Sequence, residues 1–397
     1  MNIAFSLTNL ESGGAQVFVL RMADEMAAIL QQDIYIYIHQ PEYMNLNLTA
    51  NLNRRVKIVA YTRFPLEAFL TWKINGLLKK LGLRFSYREW INAKRFDRFI
   101  QKNKISVVNS HMSYSDVVVA RARAKSKFKF IVTLHGEYEL MRSQNVSSIG
   151  TDVMEIISRA EGVIYTAQKN LTELKRYLDP ASKMPITKID VGFSERSIRI
   201  KSISRKSIGI PDDAFIAGMV SRGIPEKGWE EGILIFEKAQ AILGDVPIYL
   251  ICIGEGNYLK ELIEKTANPR IHLIQFTKNY QDYFSYYDLF DVLLFPSWFR
   301  GESVPNVVIE SLYWGRPVIA SDIADLPLML NTSLGLAGDL VPFAGPKPDL
   351  DIFASLLCDY FKNPDLLLSK KRLAPEAFQK FKMDQIVRSY FEFIQIK

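Results

Sequence analysis

The stretch Leu293-Leu-Phe-Pro-Ser-Trp-Phe-Arg-Gly-Glu-Ser-Val-Pro-Asn-Val-Val-Ile-Glu-Ser-Leu-Tyr-Trp-Gly-Arg-Pro317 decides the fold. Its apolar opening, Leu293 to Phe295, reads as a buried strand that runs into a loop at Pro296-Ser297. Val307 to Trp314 has helical spacing, and Gly315-Arg-Pro317 is a stop signal. Glu302 therefore falls on the loop at the strand's C-terminal end, and Glu310 one or two turns into the helix. In open α/β sheets ligands bind outside the carboxyl ends of strands, where helix N-termini offer N–H groups to an anion. Two carboxylates bracketing such a terminus can grip hydroxyls on either side of a bound phosphate, which is the layout of a sugar nucleotide. The bare E-x7-E spacing also occurs on ordinary solvated helices, so its weight comes from the segments around it.

Upstream, Gly218-Met-Val-Ser-Arg-Gly-Ile-Pro-Glu-Lys-Gly228 places a strand, a turn carrying Arg222 and Lys227, and a helix from about Trp229. Two cations on one strand-to-helix turn suit a diphosphate, with arginine binding in two-pronged fashion and lysine as a point charge. Pro247 to Ile253 is a continuous apolar run, the mark of a strand buried on both faces. It ends in Gly254-Glu-Gly256 before a helix beginning near Tyr258, a pattern that mostly serves the tight turn. Ile271 to Thr277 is a further strand with its loop. At the other end of the chain, Met1 to Asn9 opens as a strand and meets Glu11-Ser-Gly-Gly-Ala-Gln16 before a helical pattern from Val17 to Leu30. Gly13 and Gly14 let a backbone approach a ligand with no Cβ in the way. Ser106-Val-Val-Asn-Ser-His111 and Phe130-Ile-Val-Thr-Leu-His135-Gly136 each set a histidine at a strand exit.

Together these segments resemble the retaining family 4 glycosyltransferases of the GT-B fold, strongly over about residues 216–322 and more loosely elsewhere. Arg222 and Lys227 match the family's Arg-x4-Lys-Gly diphosphate clamp, and Glu302 and Glu310 its E-x7-E motif. The resemblance implies an α/β chain with two Rossmann-like domains facing across a deep cleft and a C-terminal helix crossing back to the first domain. It implies that Glu302 holds hydroxyls of the transferred sugar and Glu310 the ribose diol. Ser303, Pro305, Asn306 and Val307 would cradle the distal phosphate, Gly13 and Gly14 would lie beside the donor, and His135 would line the reacting centre. His111 is expected on the acceptor side. The activity implied is transfer of a hexosyl or N-acetylhexosaminyl unit from a nucleoside diphosphate sugar, UDP being the expected carrier, to a glycan or lipid-linked glycan. No cofactor and no metal are expected, since neither histidine pairs with Cys, Asp or Glu at ligand spacing. Cell-envelope polysaccharide assembly, lipopolysaccharide included, is the setting suggested by analogy. After Ser321-Asp322, Ile323-Ala-Asp-Leu-Pro-Leu328 stands where the family often has Gly-Gly-x-x-Glu.

With 397 residues, 48% hydrophobic and 23% charged, the chain suits two globular domains. The first is expected over residues 1–195, a linker over 196–211, the second over 212–375, and a returning amphipathic helix over 376–397. The N-terminal strand lacks a signal-peptide pattern, and no run of 18 apolar residues exists to span a bilayer. Cys252 and Cys358 lie in apolar stretches and read as buried free thiols of a reducing cytoplasm; His39 and His272 look structural.

The segment Arg63–Lys104 carries eleven Lys or Arg against Glu67, Glu89 and Asp97, an excess of +8 beside +7 for the whole chain. Aromatic residues Phe64, Phe69, Trp72, Phe85, Tyr87, Trp90, Phe96 and Phe99 are interleaved. Such a segment can dock on an anionic membrane, each cation near the surface adding about 1 kcal/mol, or it can be ordinary amphipathic helices with aromatics in the core. The expected location is cytoplasmic, peripheral on the inner face of the cytoplasmic membrane. The sequence pI near 9.1 raises nucleic acid as a partner, but no stacking module or helix-turn-helix supports it. A nucleotide-sugar epimerase and a phosphorylase share the two-domain layout. The epimerase reading leaves the Arg-x4-Lys-Gly and E-x7-E pair unexplained, and the phosphorylase reading lacks a pyridoxal-lysine context. A catalytically silent, membrane-docked scaffold is the alternative outside enzymes.

Overall fold

A computed structural model describes residues 1–11, 13–61, 65–83, 85–136, 153–194, 196, 203–275, 283–343 and 345–396. The chain divides into two compact units, Met1–Ser197 with Lys382–Lys397, and Ile198–Phe381.

In the first unit the strands are β1 (Asn2–Leu7), β2 (Ile34–Ile38), β3 (Val56–Ala60), β4 (Ile105–His111), β5 (Lys129–Leu134), β6 (Gly162–Tyr165) and β7 (Ile186–Lys188). They form one parallel sheet in the order β3-β2-β1-β4-β5-β6-β7. Helix α1 (Gly14–Leu30) follows β1, α2 (Pro65–Lys80) and α3 (Tyr87–Asn103) follow β3, and α4 (Ser113–Arg123) follows β4. A parallel sheet needs helical crossovers that cover its faces, and the central strands are accordingly buried: Ile3, Phe5, Val108, Ile131 and Val132 lie in the core, with the polar Asn109, Ser110 and Thr133 enclosed among them. Because strand order reverses between β1 and β4, their C-terminal ends flank a topological switch point, where ligands bind in such sheets. Leu7, the last residue of β1, is in register with His111, the last of β4.

The second unit repeats the plan with β8 (Phe215–Arg222), β9 (Ile248–Glu255), β10 (Ile271–Gln275), β11 (Val292–Phe295) and β12 (Val318–Ser321). A small hairpin, β13 (Asn331–Thr332) and β14 (Gly335–Leu336), precedes β15 (Gly338–Val341). The main sheet is again parallel, in the order β10-β9-β8-β11-β12-β15. Its switch point lies between β8 and β11. The apolar run of β9 is buried on both faces, Leu250, Ile251, Cys252 and Ile253 being fully enclosed, as expected of a central strand. Cys252 and Cys358 are both buried and unpaired.

The C-terminal region departs from the expected single helix over 376–397. Pro375 lies inside a helix, Pro364–Phe378, that stays with the second unit, and a turn at Gln379–Phe381 follows. Lys382 then takes an extended conformation (φ −61°, ψ 122°) and the helix Met383–Gln395 begins. Proline removes one backbone donor but fixes a helical φ, so the sequence signal for a break is real while the break itself falls seven residues later. The final helix belongs to the first unit. A Cβ on Gly192 would come 2.9 Å from the Met383 sulfur and one on Gly162 3.1 Å from the Phe393 ring, so both glycines admit its side chains.

The basic-aromatic segment also divides. Helix α3 starts with a side-chain N-cap in which Ser86 Oγ accepts from the Glu89 N–H at 3.3 Å, and its Phe96 and Phe99 are core residues. Helix α2 is different: Thr71 is buried, but Phe69 (53% exposed), Trp72 (67%) and Leu77 (58%) face outward, as do Leu81 and Leu83 beyond it. Phe64, within the segment, lies outside the described residues. No helix among the described residues is long and apolar enough to cross a membrane.

Candidate active site

In the second unit, β8 delivers Arg222 at its last residue, and the turn Pro225–Lys227 carries Lys227. That turn closes through Gly228, whose φ of +78° favours glycine and whose Cβ would stand 2.2 Å from the Pro296 carbonyl oxygen. The glycine of Arg-x4-Lys-Gly is therefore what lets the lysine turn lie against the loop after β11. The two are tied there: the Trp298 N–H donates to the Glu226 carbonyl at 2.9 Å. On that loop Glu302 is buried and forms an ion pair with Lys227. Ser297 Oγ donates to the same carboxylate oxygen at 2.9 Å. Phe299 sits beneath both cations, with the Lys227 ammonium 5.0 Å and the Arg222 guanidinium 5.8 Å from its ring centre. Cations over an aromatic face are attracted by its quadrupole, so Phe299 holds two like charges on one side of the loop.

The helix after this loop is Asn306–Tyr313, with Pro305 at its N-cap and no side-chain cap. Pro305 has no N–H, so it adds no backbone donor at this helix start. The helix ends as the sequence indicates. Gly315 has φ +68°, its N–H bonds the Leu312 carbonyl and the Arg316 N–H bonds the Ser311 carbonyl. This is the paired Schellman closure. Glu310, one turn in, is fully buried. Tyr283 and Tyr287 hydroxyls lie 3.0 and 3.2 Å from its Oε2, and both tyrosines are buried in an aromatic cluster with Phe284 and Trp314. Gly254 has a packing reason for being glycine: a Cβ would meet the Ser221 carbonyl at 2.2 Å and the Trp229 ring at 2.7 Å. Phe276 and Thr277 lie outside the described residues.

In the first unit, Gly13 caps α1 and Gly14 begins it. The loop between β1 and α1 is laced by Gln16, whose amide donates to Asn9 Oδ1 at 2.7 Å, and by Asn9, which donates to Glu11 at 2.8 Å. His111 and His135, 24 residues apart, come together, with Nδ1 of His111 2.8 Å from Nε2 of His135. His111 is fully enclosed. Burial, then the neighbouring imidazole, push the pKa of His111 well below the ordinary histidine value. Burial brings that of His135 down to about 4. Both are neutral at pH 7, so this pair is suited to hydrogen bonding rather than to countering charge. Around it, Phe18 packs on the His135 ring (centroids 5.8 Å) and on Tyr390 of the last helix (6.1 Å). The Tyr390 hydroxyl reaches Thr133 Oγ1 at 3.2 Å, and Thr133 bonds Asn109. His39 is a buried structural histidine whose Nε2 meets Ser6 Oγ at 2.7 Å. Among the described residues no three His, Cys, Asp or Glu side chains converge on a metal-sized site.

Sequence spacing located Arg222, Lys227, Glu302 and Glu310 but not the residues that hold them. Phe299 and Ser297 stand within the quoted stretch without a motif of their own. Tyr283 and Tyr287 have helical spacing to each other but lie 27 and 23 residues from Glu310.

Two Rossmann-like units, each with polar side chains gathered at a strand-order switch, define the GT-B class of transferase folds. Residues 214–348 match the family described as Glycosyl transferases group 1, and residues 12–186 match Glycosyltransferase Family 4. The chain belongs to this family of glycosyltransferases. It is 24% identical over 305 residues to an uncharacterized 41.2 kDa protein in the cps region of Klebsiella pneumoniae, covering 74% of this chain and 79% of that one. It is also 24% identical over 263 residues to a GDP-mannose-dependent monoacylated alpha-(1-6)-phosphatidylinositol monomannoside mannosyltransferase of Corynebacterium glutamicum, covering 62% and 65%. Among solved structures, Anabaena HepE in complex with UDP and glucose superposes with a TM-score of 0.70 at 17% identity over 99% of both chains.

Proposed function

We propose that the protein is a retaining glycosyltransferase that moves a hexosyl or N-acetylhexosaminyl unit from a nucleoside diphosphate sugar to a glycan or lipid-linked glycan of the cell envelope. The observation that carries this reading is the pairing of Lys227 with Glu302 at the β8–β11 switch point, beside the exposed Arg222 and the uncapped helix at Asn306. Lys227 has three N–H donors and spends one on Glu302, so it can grip a phosphate oxygen while keeping the carboxylate aligned for sugar hydroxyls. Arg222 and Lys227 would neutralise charge developing on the departing diphosphate, a stabilisation that is usually the largest available to a site. In the step itself the bond from the anomeric carbon to the diphosphate oxygen breaks. The acceptor oxygen bonds to the same face of that carbon, and its proton passes to a donor phosphate oxygen. Arginine, lysine and helix dipole supply the electrostatics, so no metal or cofactor is assigned. Glu310 takes the ribose diol; Gly13, Gly14, Gly254, Phe276, Thr277 and Ser303 to Val307 contribute backbone to the donor. His135 bonds a sugar hydroxyl; His111, expected on the acceptor side, is fully enclosed and can act on a ligand only through His135.

The exposed aromatics of α2 beside Lys73, Lys79 and Lys80 favour docking on an anionic bilayer, where a lipid-linked acceptor would be met. Large apolar patches of this kind mark interaction surfaces. On this proposal the enzyme works at the inner face of the cytoplasmic membrane.

The test is a thermal-shift panel of UDP, GDP, ADP and their sugar conjugates in EDTA, on wild type and Glu310→Ala. A ligand at 100 times its Kd stabilises the folded state by about 2.7 kcal/mol. Stabilisation by one nucleotide series, abolished in Glu310→Ala, is expected and names the base. Indifference to every nucleotide would sink the transferase reading and leave a membrane-docked scaffold.

A further inference from the structure

We infer that His111 is a positioning residue that locks His135 in the tautomer bearing its proton on Nδ1, so that His135 presents a neutral N–H donor and not a base. The catalytic meaning rests on the transferase reading above; the tautomer itself follows from the pair.

A neutral imidazole has one donor and one acceptor nitrogen, and which is which is set by what the other nitrogen meets. The 2.8 Å contact between His111 Nδ1 and His135 Nε2, with ring planes 26° apart, holds one proton. Two arrangements can fill it. If His135 donates, His111 must carry its own proton on Nε2. That nitrogen is buried and has no hydrogen-bond partner among the described residues; the Phe5 ring lies 5.8 Å from the imidazole. Orphaned buried N–H groups are rarer in proteins than under-used acceptors. If His111 donates from Nδ1 instead, only a lone pair is left unmet at its Nε2. His135 then accepts at Nε2 and carries its proton on Nδ1.

The second arrangement leaves no stranded donor. The surroundings do not oppose it: Phe5 and Phe18 are apolar, and the Tyr390 hydroxyl is engaged with Thr133. Among the described residues neither ring hydrogen-bonds a carboxylate that would draw a second proton. A group so fixed can donate to the lone pair of a sugar hydroxyl without removing its proton. His135 would then orient the sugar and leave proton transfer to another group.

The chain has only four histidines, so protein labelled with ¹⁵N-histidine gives a readable ring-nitrogen spectrum, with His135 assigned by its loss in His135→Gln. At pH 7 the protonated nitrogen of His135 is expected to be Nδ1. It should remain so in His111→Asn, whose amide N–H stands near the position of the imidazole Nδ1–H. In His111→Phe the preference should be lost, and kcat should fall roughly tenfold with KM for the nucleotide sugar unchanged, an effect restored in His111→Asn. A wild-type spectrum with the proton on Nε2 of His135 overturns the inference, even if His111→Phe fails to fold. So does an unaltered tautomer in a folded His111→Phe. Because the spectrum needs no turnover, an inactive protein with the Nδ1–H form would count against the transferase reading alone.

Discussion

The two units solve the same problem in opposite ways. At the switch point of the second, charge is buried and kept, Lys227 and Glu302 being paired, while the Glu310 carboxyl lies beneath two tyrosine hydroxyls. Near the switch point of the first, titratable groups are discharged: the enclosed His111 and the half-buried His135 share one hydrogen bond and stay neutral. A buried ion needs a partner or it neutralises. One unit therefore satisfies its enclosed polar groups with an ion pair and the other with a neutral imidazole pair.

The largest expected effect comes from removing the lysine. Lys227→Met leaves Glu302 buried with Ser297 as its donor and should destabilise the second unit by about 3–5 kcal/mol in urea unfolding. Adding Glu302→Gln to that variant should recover most of the loss, since the orphaned charge goes with it. A single variant as stable as wild type would erase the contrast between the units.

Acidification probes the other side. The unfolded-state pKa of histidine is near 6.5 and that of folded His135 about 4. Below pH 6.5 the unfolded chain binds a proton that the folded one refuses, so stability is full above that pH and is lost as pH falls toward 4. The slope should be up to about 1.4 kcal/mol per pH unit for each buried histidine. His135→Gln should flatten the pH dependence of unfolding midpoints; an unchanged slope would show that His135 does not stay neutral.

Smaller still is Tyr283→Phe, which removes one hydroxyl from Glu310 and should cost about 1.5 kcal/mol. The corresponding loss of nucleotide affinity should be similar, read by calorimetry. A variant that binds nucleotide as tightly as wild type would show that the Tyr283 hydroxyl is not needed to hold the carboxyl group.

What the sequence shows plainly is whatever sits within one strand–loop–helix unit. Arg222 and Lys227, or Glu302 and Glu310, are close in the chain because one turn or one helix start carries them. The apolar run of β9 likewise declares itself by composition. Contacts across the fold leave no such trace. His111 and His135 each stand at a strand exit, but only the adjacency of β4 and β5 brings them together. Tyr390 reaches Thr133 across 257 positions of sequence. The boundary of the last helix was misplaced because Pro375 is a breaker by chemistry and is tolerated by its context. Within residues 63–104, composition could not tell the core aromatics of α3 from the exposed ones of α2, because that depends on which face each helix turns to the sheet.

The last helix has a consequence for biosynthesis. A ribosome makes residues 1–197, then all of Ile198–Phe381, before it adds Met383–Gln395, which completes the first unit. Until then Phe18 and Thr133 lack Tyr390, and the groove beside Gly162 and Gly192 is open. The half of the protein whose translation begins first is thus the half whose last element is made last, and its histidine pair acquires its full surroundings only after the charged site of the other half has been synthesised.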